Sequence, residues 1–209
     1  MRFHDRKDAG LQLAQKLAWL KDKDVVVLAI PRGGVVVGDV IAKSLNGKLD
    51  VIVPRKLGAP ANPELAIGAV MHDGSSYIND YVVKTLSVEE QYVKAEIEAQ
   101  VREIERRLQL FRGSSKYELA DKIIVIIDDG IATGATAKVA VMWVITQKPK
   151  MVVLATPVAP GEVAKMLEQI VHKLVILLMP LEFEAVGEFY DDFAQIGDEQ
   201  VIEILRNYK

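Results

Sequence analysis

Short runs of β-branched and aliphatic residues recur along this chain with helical apolar spacing between them, and that alternation constrains the fold more than any other feature. The runs fall at residues 25–30, 51–53, 123–127, 151–156 and 175–179, each bounded by charge, Gly or Pro. Nearly all-apolar runs this short read as strands buried on both faces. Between them, residues 7–20, 34–45, 136–146 and 161–172 carry apolar side chains three and four apart, as helices do. The alternation predicts an α/β fold with an open, mostly parallel sheet flanked by helices.

Ser87 and Glu90 have capping-box spacing and predict a long helix from 87 to about 111, with Val93, Ile97, Val101, Ile104, Leu108 and Phe111 as its apolar stripe. Its other face is dense in Glu, Lys and Arg and reads as solvated. Such a helix either covers one sheet face or offers a surface for a homo-oligomer. Two stretches break the alternation. Residues 54–76 are rich in Gly, Pro and small side chains, with 66–70 and 77–79 as short strands of a flap. A connection of that length is functional or lacks fixed structure. Residues 180–197 gather Phe183, Phe189, Tyr190 and Phe193 in a chain only 6% aromatic, so they either pack a C-terminal segment or face a ligand. A single domain over 1–209 is expected, with a core at about 7–180, the flap at about 54–76 and a small hood at about 180–197, to which the N-terminus can add.

Composition narrows the chemistry. The 209 residues include no cysteine, which excludes disulfides, thiolate zinc sites, iron–sulfur ligation and a cysteine nucleophile. His4, His72 and His172 are too scattered to suggest a metal centre. Lys+Arg 26 against Asp+Glu 29 gives a net charge of −3 and argues against a broad nucleic-acid surface. No apolar leader opens the chain, and no aliphatic run approaches the ~20 residues of a membrane span. A cytoplasmic location without membrane or nucleic-acid partners is expected.

The segment from Ile123 to Thr136, IIVIIDDGIATGAT, carries the strongest chemical signal. An all-apolar strand delivers Asp128 and Asp129 to the carboxyl edge of the sheet, where open α/β folds bind ligands. Gly130, Ile131, Ala132, Thr133, Gly134, Ala135 and Thr136 then turn into a helix. Their small side chains let backbone N–H groups and the helix N-terminus hold a phosphate, helped by the two Thr hydroxyls. Carboxylates would repel that phosphate, so they suit the hydroxyls of a ribose whose 5′-phosphate lies in the loop. The P-loop, the dinucleotide fingerprint and the nucleophile elbow are all missing.

This segment resembles the phosphoribosyl-pyrophosphate (PRPP) motif of the type I phosphoribosyltransferases. The resemblance implies a Rossmann-like fold and transfer of a 5-phosphoribosyl group to a nitrogenous base with release of pyrophosphate. It also implies Mg²⁺ as cofactor, held by Asp128 and Asp129 directly or through ribose hydroxyls and water. Two further segments take roles by the same comparison. Arg32, Gly33 and Gly34, after the first strand, are similar to the family's pyrophosphate loop. Arg55 and Lys56 resemble the Arg-Lys pair that begins the flexible loop of adenine-type members, and they join Asp128 and Asp129 as the expected catalytic residues. Glu64, farther along, can approach when that loop closes. In the C-terminal segment Phe183 matches a base-stacking ring and Asp191 an acid near the metal. Ala132 stands where hypoxanthine-guanine members carry an Asp, which argues against a close hypoxanthine-guanine enzyme and leaves the proton acceptor open. The alternative is a non-catalytic PRPP-binding regulatory protein of the same fold.

Overall fold

A computed structural model of the chain describes residues 2–208. The strands are β1 (Val25–Ala29), β2 (Lys48–Val51), β3 (Arg55–Ala59), β4 (Asn62–Val70), β5 (Ser76–Ile78), β6 (Ile123–Ile127), β7 (Met151–Val158) and β8 (Lys173–Leu178). The helices are α1 (Arg6–Lys16), α2 (Gly33–Leu45), α3 (Asp80–Thr85), α4 (Glu90–Phe111), α5 (Ala135–Thr146), α6 (Gly161–Glu168) and α7 (Asp198–Arg206).

Five strands form a parallel sheet in the order β2-β1-β6-β7-β8. Alternate residues of β1, β6 and β7 feed two cores. Val25, Val27, Ala29, Val125, Ile127, Val153 and Ala155 pack with α1, α2, α4 and α7, while Val26, Leu28, Ile124, Ile126, Val152 and Leu154 pack with α5 and α6. Burial on both faces is why these strands read as unbroken apolar runs. The expected α/β architecture is the one found. Because β1 leads through α2 outward to β2 while β6 lies on its other side, the order in which strands are added reverses between β1 and β6. Open α/β folds bind ligands at such a crevice. Ala29 pairs with Ile127, so the loops after the two strands leave side by side.

The structure departs from the sequence expectations at identifiable places. Ser87 adopts φ 51 and does not cap. The long helix starts at Glu90, after a short α3 whose N-cap Asn79 accepts from Val82 N–H. The helix expected to reach 172 stops at Glu168, because His172 N–H donates to Val152 O and His172 Nδ1 accepts from Val152 N–H at the sheet edge. The helix expected over 7–20 ends at Lys16 and continues as a 3₁₀ turn at Ala18–Leu20. The strand expected at 51–53 is shifted back to Lys48–Val51.

The stretch expected as a loop with two short strands is an antiparallel sheet, β3-β4-β5, with a bulge around Gly58. A Cβ on Gly58 would lie 2.7 Å from Pro63 O, so the hairpin closes only around glycine. At the other end of the chain, Phe3 and Tyr190 form an isolated parallel bridge, and Asp192 N–H donates to His4 O. The N-terminal residues thereby join the segment expected as a hood.

Candidate active site

At the carboxyl edge of β1, β2 and β6 lies a cavity of about 480 Å³. Arg32 and Gly33 reach it from the turn after β1, Arg55 and Lys56 from β3, Glu64 from β4, and Asp128, Asp129 and Thr136 from the β6–α5 connection. Four segments separated in sequence thus meet at one place. Glu96, Gln100 and Arg107 of α4 line the same cavity. Helical spacing by itself assigns that face of α4 to solvent.

The glycine turn and the acidic motif interlock. A Cβ on Gly33 would lie 1.8 Å from Asp129 Oδ2, and one on Gly34 2.9 Å from Ile127 O. Only glycine lets the amino end of α2 approach the end of β6 this closely. The Pro31–Arg32 peptide bond in this turn is cis. Arg32 Nη1 stands 3.6 Å from Asp198 Oδ1 of α7, a loose and half-exposed ion pair.

Asp128 and Asp129 sit in different electrostatic settings. Asp128 Oδ1 accepts from Asp129 N–H at 2.9 Å. Burial, and then the neighbouring Asp129 charge, push the Asp128 carboxyl well above the usual carboxylate range. Asp129 instead has a cation, since Arg6 Nε donates to its Oδ2 at 2.7 Å with both side chains largely buried. The Arg6 guanidinium also donates to Ala194 O and stacks 3.8 Å over the Phe193 ring. Tyr190 O–H donates to Asp129 O. Arg6 is therefore part of the site, and nothing in its local sequence marks it.

After the acids the chain forms the small-residue loop. Ile131 is buried and its N–H donates to Val158 O, whereas Ala132 and Thr133 are exposed. Gly134 takes φ 77 at the N-cap of α5, and among the described residues no side chain caps this helix. Its first N–H groups and the positive end of its dipole are free to meet an anion, with Ala135 and Thr136 in the first turn.

Arg55 is half-buried and Lys56 exposed. Arg55 Nε donates to Gln100 Oε1. Burial and the nearby Arg107 charge lower the Arg55 pKa from its ordinary value. The hairpin is tied to α4 at two more points: Tyr92 O–H donates to Gly58 O at 3.0 Å, and Gly58 N–H to Glu96 Oε1 at 3.4 Å.

The hood residues lie elsewhere. Phe183 stacks on Phe189 with centroids 5.3 Å apart, and Asp191 pairs with Arg2 at 3.4 Å. Neither lines the cavity. Val186 covers Gly130 so closely that a Cβ there would be 2.2 Å from Val186 Cγ1. The segment expected as a hood therefore rests directly on the start of the small-residue loop.

Residues 5–188 match the phosphoribosyl transferase domain family. Two proteins from two strains of Mycobacterium tuberculosis, named provisionally as phosphoribosyl transferases, are each 45% identical to the chain over 97% of its length. The match covers 46% of each relative, so the chain spans about half the length of these proteins. The crystal structure of TT1426 from Thermus thermophilus superposes with TM-score 0.80 at 38% identity, covering 100% of this chain and 99% of that one. AQ2163 from Aquifex aeolicus shares the fold at TM-score 0.50 and 18% identity, over 82% of this chain and 73% of its own.

Proposed function

The chain belongs to the phosphoribosyl transferase family, and from that premise we propose that it transfers the 5-phosphoribosyl group of PRPP to a nitrogenous acceptor, releasing pyrophosphate in an Mg²⁺-dependent reaction. The observation that carries this reading is the convergence of Arg32, Arg55, Lys56, Asp128, Asp129 and Thr136 on one cavity at the sheet's carboxyl edge.

In this reading the uncapped start of α5 and the loop before it take the 5′-phosphate. Asp128 and Asp129 accept hydrogen bonds from the ribose hydroxyls. Arg32, the Gly33–Gly34 turn, Arg55 and Lys56 face the diphosphate. The bond between C1 and the pyrophosphate oxygen breaks, and its electron pair leaves on pyrophosphate. A nitrogen lone pair of the acceptor closes on C1, and the nitrogen sheds its proton to solvent. The cations act where negative charge grows, an electrostatic contribution that is usually the largest in catalysis.

Among the described residues no group of three or more His, Cys, Asp or Glu is placed to hold a metal. Two carboxylates alone fit a hard ion that completes its shell with substrate oxygens and water, as Mg²⁺ does. When bound, such an ion neutralises part of the pyrophosphate charge and stabilises the leaving group. Phe183, stacked on Phe189, is our candidate ring for the acceptor. Asp191, engaged with Arg2, is left without a role in this scheme.

The test is incubation with PRPP, Mg²⁺ and a panel of purine and pyrimidine bases, following pyrophosphate release. Acceptor-dependent release is expected. Tight PRPP binding without release for any acceptor would favour a regulatory PRPP-binding protein, and absence of PRPP binding would overturn both readings.

A further inference from the structure

Along the 22-residue helix α4, Glu96, Gln100, Glu103 and Arg107 are spaced four, three and four apart, which puts them on one face beside the apolar stripe. This polar stripe does not simply meet water. Glu96, Gln100 and Arg107 line the cavity that holds Arg32, Arg55, Lys56 and the two Asp residues.

The stripe is internally bonded. Gln100 Nε2 donates to Glu96 Oε1 at 2.9 Å, while Gln100 Oε1 accepts from Arg55 Nε. Arg107 Nε donates to Glu103 Oε1 at 2.8 Å. Glu103 is shared with Arg106, and hydrogen bonds from the two guanidinium groups hold its carboxyl down at about 2, so it stays charged. Arg55 and Arg107 are thus each fixed through Nε. Their terminal nitrogens make no hydrogen bond among the described residues.

Two partly buried guanidiniums on one cavity wall repel each other, and the Arg107 charge is felt at Arg55. A multiply charged anion that takes bonds from both reverses that repulsion, and planar guanidinium groups are suited to phosphate oxygens. The position of the pair selects which phosphate. Of residues 130–136 only Thr136, in the first turn of α5, is among the described residues that line this cavity, whereas Arg32, Gly33, Arg55 and Lys56 all do.

We infer that α4 supplies a further guanidinium, that of Arg107, to the diphosphate of the donor and to the pyrophosphate that leaves, and that Gln100 is the positioning residue that aims Arg55 at the same group. This rests on the phosphoribosyl-transfer reading above. It also gives the long helix a part in ligand binding beyond covering the sheet.

The experiment is calorimetric titration of the whole chain with pyrophosphate and, separately, with ribose 5-phosphate, both in Mg²⁺. Arg107→Gln is expected to weaken pyrophosphate binding about tenfold or more, the loss of one charge-assisted contact, with ribose 5-phosphate unaffected. Arg107→Lys recovers part of the loss. Arg106→Gln, which removes the exposed partner of the same Glu103, leaves both affinities unchanged. Gln100→Ala weakens pyrophosphate binding in the wild-type background but adds nothing once Arg55→Gln is present. Equal weakening of both ligands by Arg107→Gln, or none, overturns the role of Arg107. Additive losses at Gln100 and Arg55 overturn the positioning role. If the unmutated chain binds neither ligand, the phosphoribosyl-transfer reading fails with it; if it binds both and Arg107→Gln is indifferent, this inference fails alone.

Discussion

Arg6 Nε donates to Asp129 Oδ2 at 2.7 Å across 123 residues of sequence. The pair joins the first helix to the end of the central strand β6. Through Ala194 O and the Phe193 ring the same guanidinium fastens the hood. One side chain thus fixes the orientation of an acid assigned to the ribose and the seat of the segment above it.

Breaking that pair leaves a largely buried carboxylate beside a second one. Arg6→Gln should cost about 3 kcal/mol of stability, in the range for removing one partner of a buried ion pair. It should also weaken PRPP binding. Arg6→Lys restores charge but not the fork that reaches Ala194 O, so partial recovery is expected in urea melts. An unchanged melt for Arg6→Gln would show that the pair contributes nothing.

Asp128 has the opposite character. Its carboxyl is pushed well above the usual range by burial and by Asp129. With a pKa raised on folding, the stability contribution is fully present below the unfolded value of 3.8 and is lost progressively as pH rises from there through the folded value. At neutral pH the buried acid, ionised in the unfolded chain, therefore costs stability. Asp128→Asn, which keeps an acceptor for Asp129 N–H, should raise the Tm at pH 7.5. The gain should shrink toward pH 4, and Mg²⁺-dependent PRPP binding should be lost. A Tm difference independent of pH would contradict the assigned environment.

Gly33→Ala tests the interlock of turn and acid. The added methyl would lie 1.8 Å from Asp129 Oδ2 and 2.8 Å from Arg6 Nε. The ion pair must move, at a cost of about 2 kcal/mol, typical of overpacking. PRPP affinity should fall with it. Retained affinity in calorimetry would mean that Asp129 does not need its observed position.

Arg112 provides a contrast away from the site. It makes a bidentate pair with Asp50 at 2.7 and 2.8 Å, donates to Ser114 O and Lys116 O, and stacks 3.8 Å over Tyr117. Arg112→Ala should destabilise by about 3 kcal/mol while leaving PRPP affinity within about twofold, because it shares no partner with the ligand-facing groups. Chemical denaturation and calorimetry on one preparation would check both halves.

Much of this was legible in the chain. The apolar runs located the parallel strands because strands buried on both faces tolerate little else. The paired acids, followed by small residues and a helix, marked the end of β6 as a ligand edge. The flap was harder to read. Its Gly- and Pro-rich sequence resembles a loop, yet β3, β4 and β5 pair because Gly58 and Gly68 allow close backbone approach, with Cβ positions 2.7 Å from Pro63 O and 2.2 Å from Tyr77 O. Ser87 showed the limit of a local motif. Its capping-box spacing was present, but the chain turns there through φ 51 after an unforeseen α3.

By itself the sequence determined the α/β order, the two-faced strands and the delivery of Asp128 and Asp129 to the sheet's carboxyl edge, since periodicity and turn chemistry act over a few residues. Tertiary structure alone decided that Arg6 holds Asp129, that Arg55 meets Gln100, and that Glu96, Gln100 and Arg107 of α4 line the cavity. Helical spacing states which residues share a face. What that face meets depends on where distant segments cross, and those crossings are set by the packing of the two cores.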